Sequence, residues 1–159
     1  MRTPFLAARC LLIATLMLGL PSAALAQAQD SPARNAAVVS TAFEQWRAGQ
    51  GSVFDLLDAD VVWTVAGVSS VSGTYRGRQA FLQEAVAPIT RKLRTPITPT
   101  LRQIVAQGDE VVVFWEGQAT ALDGRPYRNH YAWQLTLAQG KIIRAVAYLD
   151  TAALEALMK

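Results

Sequence analysis

Residues 127–150 read YRNHYAWQLTLAQGKIIRAVAYLD, which is two extended runs joined by Gln139-Gly140. In the first run, Tyr127 to Ala138, apolar residues recur at every second position, the period of a strand with one buried face. The second run, Lys141 to Leu149, follows after a turn too short for a crossover, so the two runs predict an antiparallel hairpin. Asp150 can then cap a closing helix.

The upstream sequence extends this hairpin into a larger sheet. Two further strands, about Thr100 to Gln107 and Val111 to Ala121, are bounded by Gly108-Asp109 and Asp123-Gly124 and predict an antiparallel meander. The residues before them have mainly helical spacing. The predicted elements there are a helix from Ser31-Pro32 to Ala48-Gly49, a short helix Ser52 to Leu57, a strand Asp60 to Ala66, a loop Ser69 to Gly77 and a helix Gly77 to Pro88. This order predicts an α+β domain.

The first 26 residues have the pattern of a cleaved secretory signal peptide. Arg2 and Arg9 form the positive region, an apolar run of 11 residues spans Cys10 to Leu20, and Ala24 and Ala26 fit the A-x-A cleavage rule. The alternative is a retained anchor, although the run is shorter than the roughly 20 residues that cross a bilayer. We therefore expect an exported, periplasmic or secreted protein with no stable membrane anchor. It would have a polar leader at 27–30 and one domain at 31–159.

Cleavage would leave a nearly neutral chain without a thiol. It would remove two of the 15 basic residues, none of the 12 acidic ones and Cys10, the single cysteine, leaving a net charge of +1. A nearly neutral chain does not favour nucleic acid as a partner. The basic stretch Arg91-Lys92-Leu93-Arg94 is interpreted as a solvated helix end.

Four motifs carry a resemblance to a known family: DADVVW at 58–63, GTYRG at 73–77, YRNHY at 127–131 and GKII at 140–143. In this order they resemble the nuclear transport factor 2-like superfamily, in its SnoaL-like and ketosteroid-isomerase-like branch, over nearly all of 31–158. The resemblance implies a cone-shaped, curved antiparallel sheet wrapped around N-terminal helices, with an apolar cavity open at one end. It also implies a homodimer through the outer sheet face. This fold hosts several enzymes and binders, so it does not specify a function.

The resemblance also permits a test for known catalytic residues. Ketosteroid isomerase uses an aspartate base, with a tyrosine and a protonated aspartate as oxyanion donors. By resemblance, Asn129 takes the place of the protonated aspartate, while the base position falls among the non-titrating residues 64–66 and the tyrosine position at Ala42 or Phe43. An aspartate of the limonene epoxide hydrolase set is replaced by Ala147. Neither catalytic set is complete.

Strand alternation provides the candidate cavity residues. Tyr127, Asn129, Tyr131 and Trp133 share one face of their strand, which we expect to point into the cone. Ordinary core packing is the alternative for the tryptophans, and a structural hydrogen bond is the alternative for Asn129. The full candidate set for the ligand cavity is Trp63, Phe114, Tyr127, Asn129, Tyr131 and Trp133.

Glu116 and Asp150 are the candidate catalytic carboxylates. Glu116 interrupts an apolar strand, and if it points inward, burial would raise its pKa toward that of a useful acid or base. If it points outward, it is a solvated residue, and the sequence leaves both open. Asp150 is either a helix cap or a proton shuttle. His130 is interpreted as a surface or dimer-interface residue, and with one histidine and no nearby carboxylates no metal site is expected.

Three functions follow as hypotheses. The first is an exported domain that binds a small, mostly apolar or carbonyl-containing molecule in its cavity without a cofactor. The second is a cofactor-independent isomerase, cyclase or dehydratase that acts on a carbonyl compound through Glu116 or Asp150, with Asn129 as oxyanion donor. The third is a protein-interaction module that uses the outer sheet face.

Overall fold

The structure is a computed structural model that describes residues 31–159. The predicted signal peptide and polar leader lie outside the described residues. The domain begins with helix α1, Pro32–Arg47, whose first turn is capped as expected: the Ser31 hydroxyl accepts a hydrogen bond from the Arg34 backbone N–H, and a proline opens the helix. A 3₁₀ turn, Val53–Leu56, follows in place of the predicted short helix, with a capping box between Ser52 and Asp55.

Six strands form one curved, unclosed sheet in the order β2-β1-β6-β5-β4-β3. Their bounds are β1 Leu57–Val65, β2 Gly73–Arg76, β3 Thr98–Gln107, β4 Glu110–Thr120, β5 Pro126–Ala138 and β6 Lys141–Leu149. Register shifts in the β3–β4, β5–β6 and β1–β6 ladders interrupt the regular pairing, and such bulges bend a sheet. The α+β class and the curved sheet around α1 are confirmed.

Three further details differ from the sequence prediction. Residues 73–76, expected to be loop, form β2, because their backbone pairs with β1 at the sheet edge. The β1–β6 pair is parallel, so the sheet is mixed rather than wholly antiparallel. The helical segment α2 comprises Arg78–Ala80, a π-helical part Phe81–Val86 and Ala87–Arg91, and so it passes Pro88, where the prediction ended it.

The hairpin at the centre of the prediction is confirmed. Gln139 and Gly140 both have positive φ, 52° and 74°, as a two-residue type I′ turn requires, and this turn matches the twist of the flanking strands. A final helix, α3 Thr151–Met158, begins at Asp150, whose carboxylate accepts a hydrogen bond from the Ala153 N–H at 3.1 Å. No helix within residues 31–159 combines the length and apolar character needed to cross a membrane.

Candidate ligand-binding cavity

A cavity of about 410 Å³ lies between the concave face of the sheet and the helices. Its size falls within the range typical of small-molecule sites. Seven aromatic residues, including all four tryptophans of the chain, line it: Trp46, Phe54, Trp63, Phe81, Trp115, Tyr131 and Trp133. The helices contribute Phe81, Ala85, Val86 and Ile89 from α2 and Leu154 from α3.

The aromatic wall is rigid because its rings pack against one another. Trp63 stacks on Phe81 with ring centroids 4.3 Å apart, and Trp115 stacks on Tyr131 at 3.9 Å. Trp133 lies between these two pairs and meets Trp63 and Trp115 edge to face at 4.9 and 4.7 Å. Such ring pairs contribute about 0.5–1.5 kcal/mol each beyond their area burial.

Gly117 on β4 makes room for the stacked pair. A Cβ placed there would lie 3.1 Å from both the Trp115 and the Tyr131 ring and 3.0 Å from Ile97. These distances are shorter than ordinary van der Waals contact. A residue without a side chain at position 117 therefore lets the Trp115 and Tyr131 rings lie flat against each other beside the cavity.

A buried chain of polar groups connects this wall to the end of β6. Asn129, 2% exposed, donates through Nδ2 to the Asp150 carbonyl at 2.9 Å and to the Tyr127 hydroxyl at 3.1 Å, and its Oδ1 accepts from the Asp150 N–H at 3.0 Å. The Tyr127 hydroxyl lies 2.9 Å from the Tyr131 hydroxyl. Both amide protons of Asn129 are therefore used within the protein, and its role is to join β5 to the start of α3.

Tyr131 is the hydroxyl-bearing residue of the aromatic wall, which also holds the buried indole N–H groups of Trp115 and Trp133, unpartnered within residues 31–159. Burial raises the pKa of its phenol well above the usual value, and the adjacent Tyr127 hydroxyl adds to the shift. Burial also raises the pKa of Tyr127. Tyr131 consequently stays a neutral phenol over the ordinary pH range, able to donate a hydrogen bond and poorly suited to act as a base.

The rim of the cavity is formed by the end of α2 and by the chain between α2 and β3. Thr90, Arg94, Thr95 and Pro96 line the cavity and are also exposed to solvent, which places them at its opening. Backbone pairing with the β4–β5 turn fixes this segment: Arg94 N–H donates to the Thr120 carbonyl at 2.7 Å, and Leu93 bridges to Ala121.

The structure places three of the six predicted cavity residues, Trp63, Tyr131 and Trp133, in the wall. Tyr127 and Asn129 are buried on the expected face of β5 but lie outside the cavity lining. Phe114 is a correction: it is 40% exposed on the outer face of the sheet, because its neighbour Trp115 points inward.

Glu116 also lies on the outer face, opposite His130 in the β4–β5 register. The Arg102 guanidinium contacts both of its carboxylate oxygens, at 2.9 and 2.8 Å, and His130 Nδ1 lies 3.7 Å away. The hydrogen bond from Arg102 holds the pKa of Glu116 below its usual range, the reverse of the rise that inward burial would produce. Of the two orientations that the sequence left open for Glu116, the structure shows the outward one. The prediction that Glu116 acts as an acid or base inside the cavity is therefore wrong.

Asp150 caps α3, and its side chain is exposed rather than within the cavity lining. The exposure of His130 agrees with its interpretation as a surface residue. Sequence reasoning missed the contributions of α2, of Trp46 on α1 and of Arg94. Helical spacing marked the α2 residues as apolar but gave no sign of a cavity beside them, and Arg94 is part of a basic stretch interpreted as solvated.

Comparisons with solved structures find proteins of the same fold. A nuclear transport factor 2-like protein of unknown function from Burkholderia pseudomallei K96243 superposes with a TM-score of 0.66 at 19% identity, covering 79% of this chain and 97% of that one. A candidate SnoaL-like polyketide cyclase from Jannaschia sp. CCS1 gives 0.63 at 16% identity, with 80% and 92% covered. TerC, co-crystallized with polyporic acid, gives 0.64 at 25% identity, with 80% and 98% covered.

One of two sequence comparisons identifies a family. No curated protein matches the chain. The family model of the SnoaL-like domain matches residues 39–145, from the middle of α1 to the middle of β6, and so covers more than half of the chain. The protein therefore belongs to the SnoaL-like domain family, and it has the fold of the nuclear transport factor 2-like proteins.

Proposed function

We propose that this protein binds a small, mostly apolar molecule with an aromatic ring system in the cavity between sheet and helices. The observation that carries the proposal is the wall itself: about 410 Å³ enclosed by seven aromatic side chains. Flat aromatic faces held at fixed angles favour a flat aromatic ligand, because stacking and edge-to-face contacts are then available without rearrangement.

The polar groups of the wall support binding more than proton transfer. Among the described residues, those that line the cavity include no carboxylate, histidine, lysine or cysteine. The wall offers apolar surface, the Tyr131 phenol, the unpartnered indole N–H groups of Trp115 and Trp133, and the polar rim. TerC, which shares this fold and is 25% identical, was co-crystallized with polyporic acid, a small organic molecule.

A neutral fluorescent probe tests the proposal. N-phenyl-1-naphthylamine should bind one molecule per chain with enhanced emission, because the cavity excludes water from the probe. Ala85→Phe, which places a ring inside the cavity from α2, should abolish the enhancement. Ala37→Phe, the same change on the exposed side of α1, is the matched control and should leave it unchanged. Absence of binding, or equal binding by the Ala85→Phe variant, would refute the proposal.

We also propose that the chain is exported and cleaved after Ala26. The support is the sequence of residues 2–26, with its positive start, short apolar run and A-x-A end. Expression of the full chain in a bacterial host, followed by intact-mass analysis of the periplasmic fraction, should give a mass that begins at Gln27. Full-length protein retained in the membrane fraction would contradict cleavage and favour an anchor.

The outer face of the sheet supports a homodimer as a third proposal. Val105, Phe114 and Tyr148 are exposed there beside charges of both signs, Arg102 and Glu116. A two-fold contact needs a self-complementary surface, and an apolar centre with paired opposite charges at its edge satisfies that requirement.

A further inference from the structure

Arg94 differs from the other residues that line the cavity because it carries a charge. It lines the cavity and is exposed to solvent, which places this residue at the opening of a space whose other lining residues are uncharged and mostly apolar or aromatic. A cation at this position changes which molecules the cavity favours, because an arginine attracts and can hold an anionic group in bidentate geometry.

The charge of Arg94 is not neutralised by the surrounding protein. Within residues 31–159, no carboxylate lies at salt-bridge distance from it. The acidic residue of the neighbouring β4–β5 turn, Asp123, is engaged elsewhere: its carboxylate accepts from Arg125 Nε at 2.6 Å and from the Arg125 backbone N–H at 2.9 Å. An anionic ligand would therefore meet an available positive charge.

The Arg94 side chain is also held in place. Its Nη2 donates to the Leu122 carbonyl at 2.7 Å, and the Leu122 N–H donates to the Lys92 carbonyl at 2.9 Å, so the β4–β5 turn fixes the rim and the guanidinium together. This bond uses one of the five guanidinium N–H donors and leaves the others for a ligand. Thr95 adds a second donor at the rim, because its hydroxyl oxygen accepts from the Thr120 N–H and its own proton remains available.

We infer that the ligand is an aromatic acid: a flat apolar ring system in the cavity with one anionic group, such as a carboxylate, at Arg94. This inference rests on the proposed function and adds to it the class and the orientation of the ligand. The ring system would contact the Trp63, Trp133 and Tyr131 wall, and the anionic group would remain at the solvent-facing end, where the cost of removing its water is lowest.

The test compares two probes of the same ring system and similar shape, anionic 2-naphthoate and neutral 2-naphthamide, by isothermal titration calorimetry at pH 7 in low salt with protein from the full chain. We expect wild-type protein to bind the acid about three- to tenfold more tightly than the amide, since a partly exposed ion pair is worth roughly 1 kcal/mol. Arg94→Gln should make the two affinities equal with little change for the amide. The preference should also shrink as salt is raised.

Arg91→Gln is the matched control, because Arg91 is exposed at the end of α2 outside the lining of this cavity and its loss changes the net charge equally. It should retain the preference for the acid. Equal binding of acid and amide by the wild type, or a preference that survives Arg94→Gln, would overturn the inference while leaving cavity binding intact. If neither naphthyl probe nor N-phenyl-1-naphthylamine binds, the proposed function itself fails.

Discussion

Two buried asparagines allow one substitution to be tested in opposite surroundings. Asn35 on α1 is 1% exposed, and neither its Nδ2 nor its Oδ1 has a hydrogen-bond partner, whereas Asn129 is 2% exposed with all of its amide groups paired. Leucine has the same branching and number of side-chain heavy atoms as asparagine. Asn→Leu therefore removes the polar groups while largely keeping the shape at both sites.

The expected changes in the free energy of unfolding have opposite signs. At Asn35 the change removes an unpaired buried amide, whose cost is about 1–3 kcal/mol, and adds a few tenths from the better helix propensity of leucine. We expect Asn35→Leu to raise stability by about 1–3 kcal/mol. At Asn129 three hydrogen bonds are lost at about 1 kcal/mol each, and the Tyr127 hydroxyl loses a buried partner. We expect Asn129→Leu to lower stability by about 2–4 kcal/mol.

Urea unfolding followed by tryptophan fluorescence measures both changes, because all four tryptophans line the cavity and would become exposed. The midpoint should move up for Asn35→Leu and down for Asn129→Leu at an unchanged slope. If Asn35→Leu destabilised the protein as much as Asn129→Leu, the Asn35 amide would have to make hydrogen bonds in solution, and the reasoning from unpaired burial would be refuted.

Three further predictions concern Tyr131, Gly117 and Phe114. Because the pKa of Tyr131 is raised in the folded state, the contribution of Tyr131 to stability is present below the ordinary tyrosine pKa of about 10 and declines above it. Tyr131→Phe should therefore lose less stability than the wild type between about pH 10 and 11.5. Parallel plots of unfolding free energy against pH for the two proteins would contradict this. Gly117→Ala should lower the free energy of unfolding by about 1–3 kcal/mol, because the added methyl group overpacks the Trp115–Tyr131 stack. The change should appear as a lower thermal midpoint and an altered near-ultraviolet circular dichroism spectrum, and an unchanged midpoint and spectrum would contradict the prediction. Phe114→Asp should shift a dimer toward monomer in sedimentation velocity without changing N-phenyl-1-naphthylamine binding; a wild type that is monomeric at all concentrations would remove the dimer proposal.

The local pattern of the sequence predicted most elements closely. Alternation along 127–138 correctly placed Tyr131 and Trp133 on the inner face of β5, and Gln139-Gly140 correctly predicted the turn to β6. These features depend on neighbours in the chain: a side-chain period of two fixes the faces of a strand, and a two-residue turn fixes the pairing of the strands it joins.

The face of β4 could not be predicted in the same way. Residues 111–115 are apolar at every position, so alternation leaves two equally good orientations, and a shift of one residue exchanges the faces completely. The structure resolves the choice by register: Trp115 pairs with Tyr131, and Glu116 pairs with His130. This placement removed Phe114 and Glu116 from the candidate site.

The sequence was therefore sufficient for most of the elements, the turn chemistry, the caps of α1 and α3 and the resemblance to the family, because each depends on residues close together in the chain. The cavity and its rim depend on contacts between distant segments. Arg94 lies at the opening because residues 92–95 pair with residues 120–122, and Asn129 is structural because it bonds to Asp150, 21 residues away. Periodicity carries no information about such contacts, so the residues that surround the cavity were established by tertiary packing.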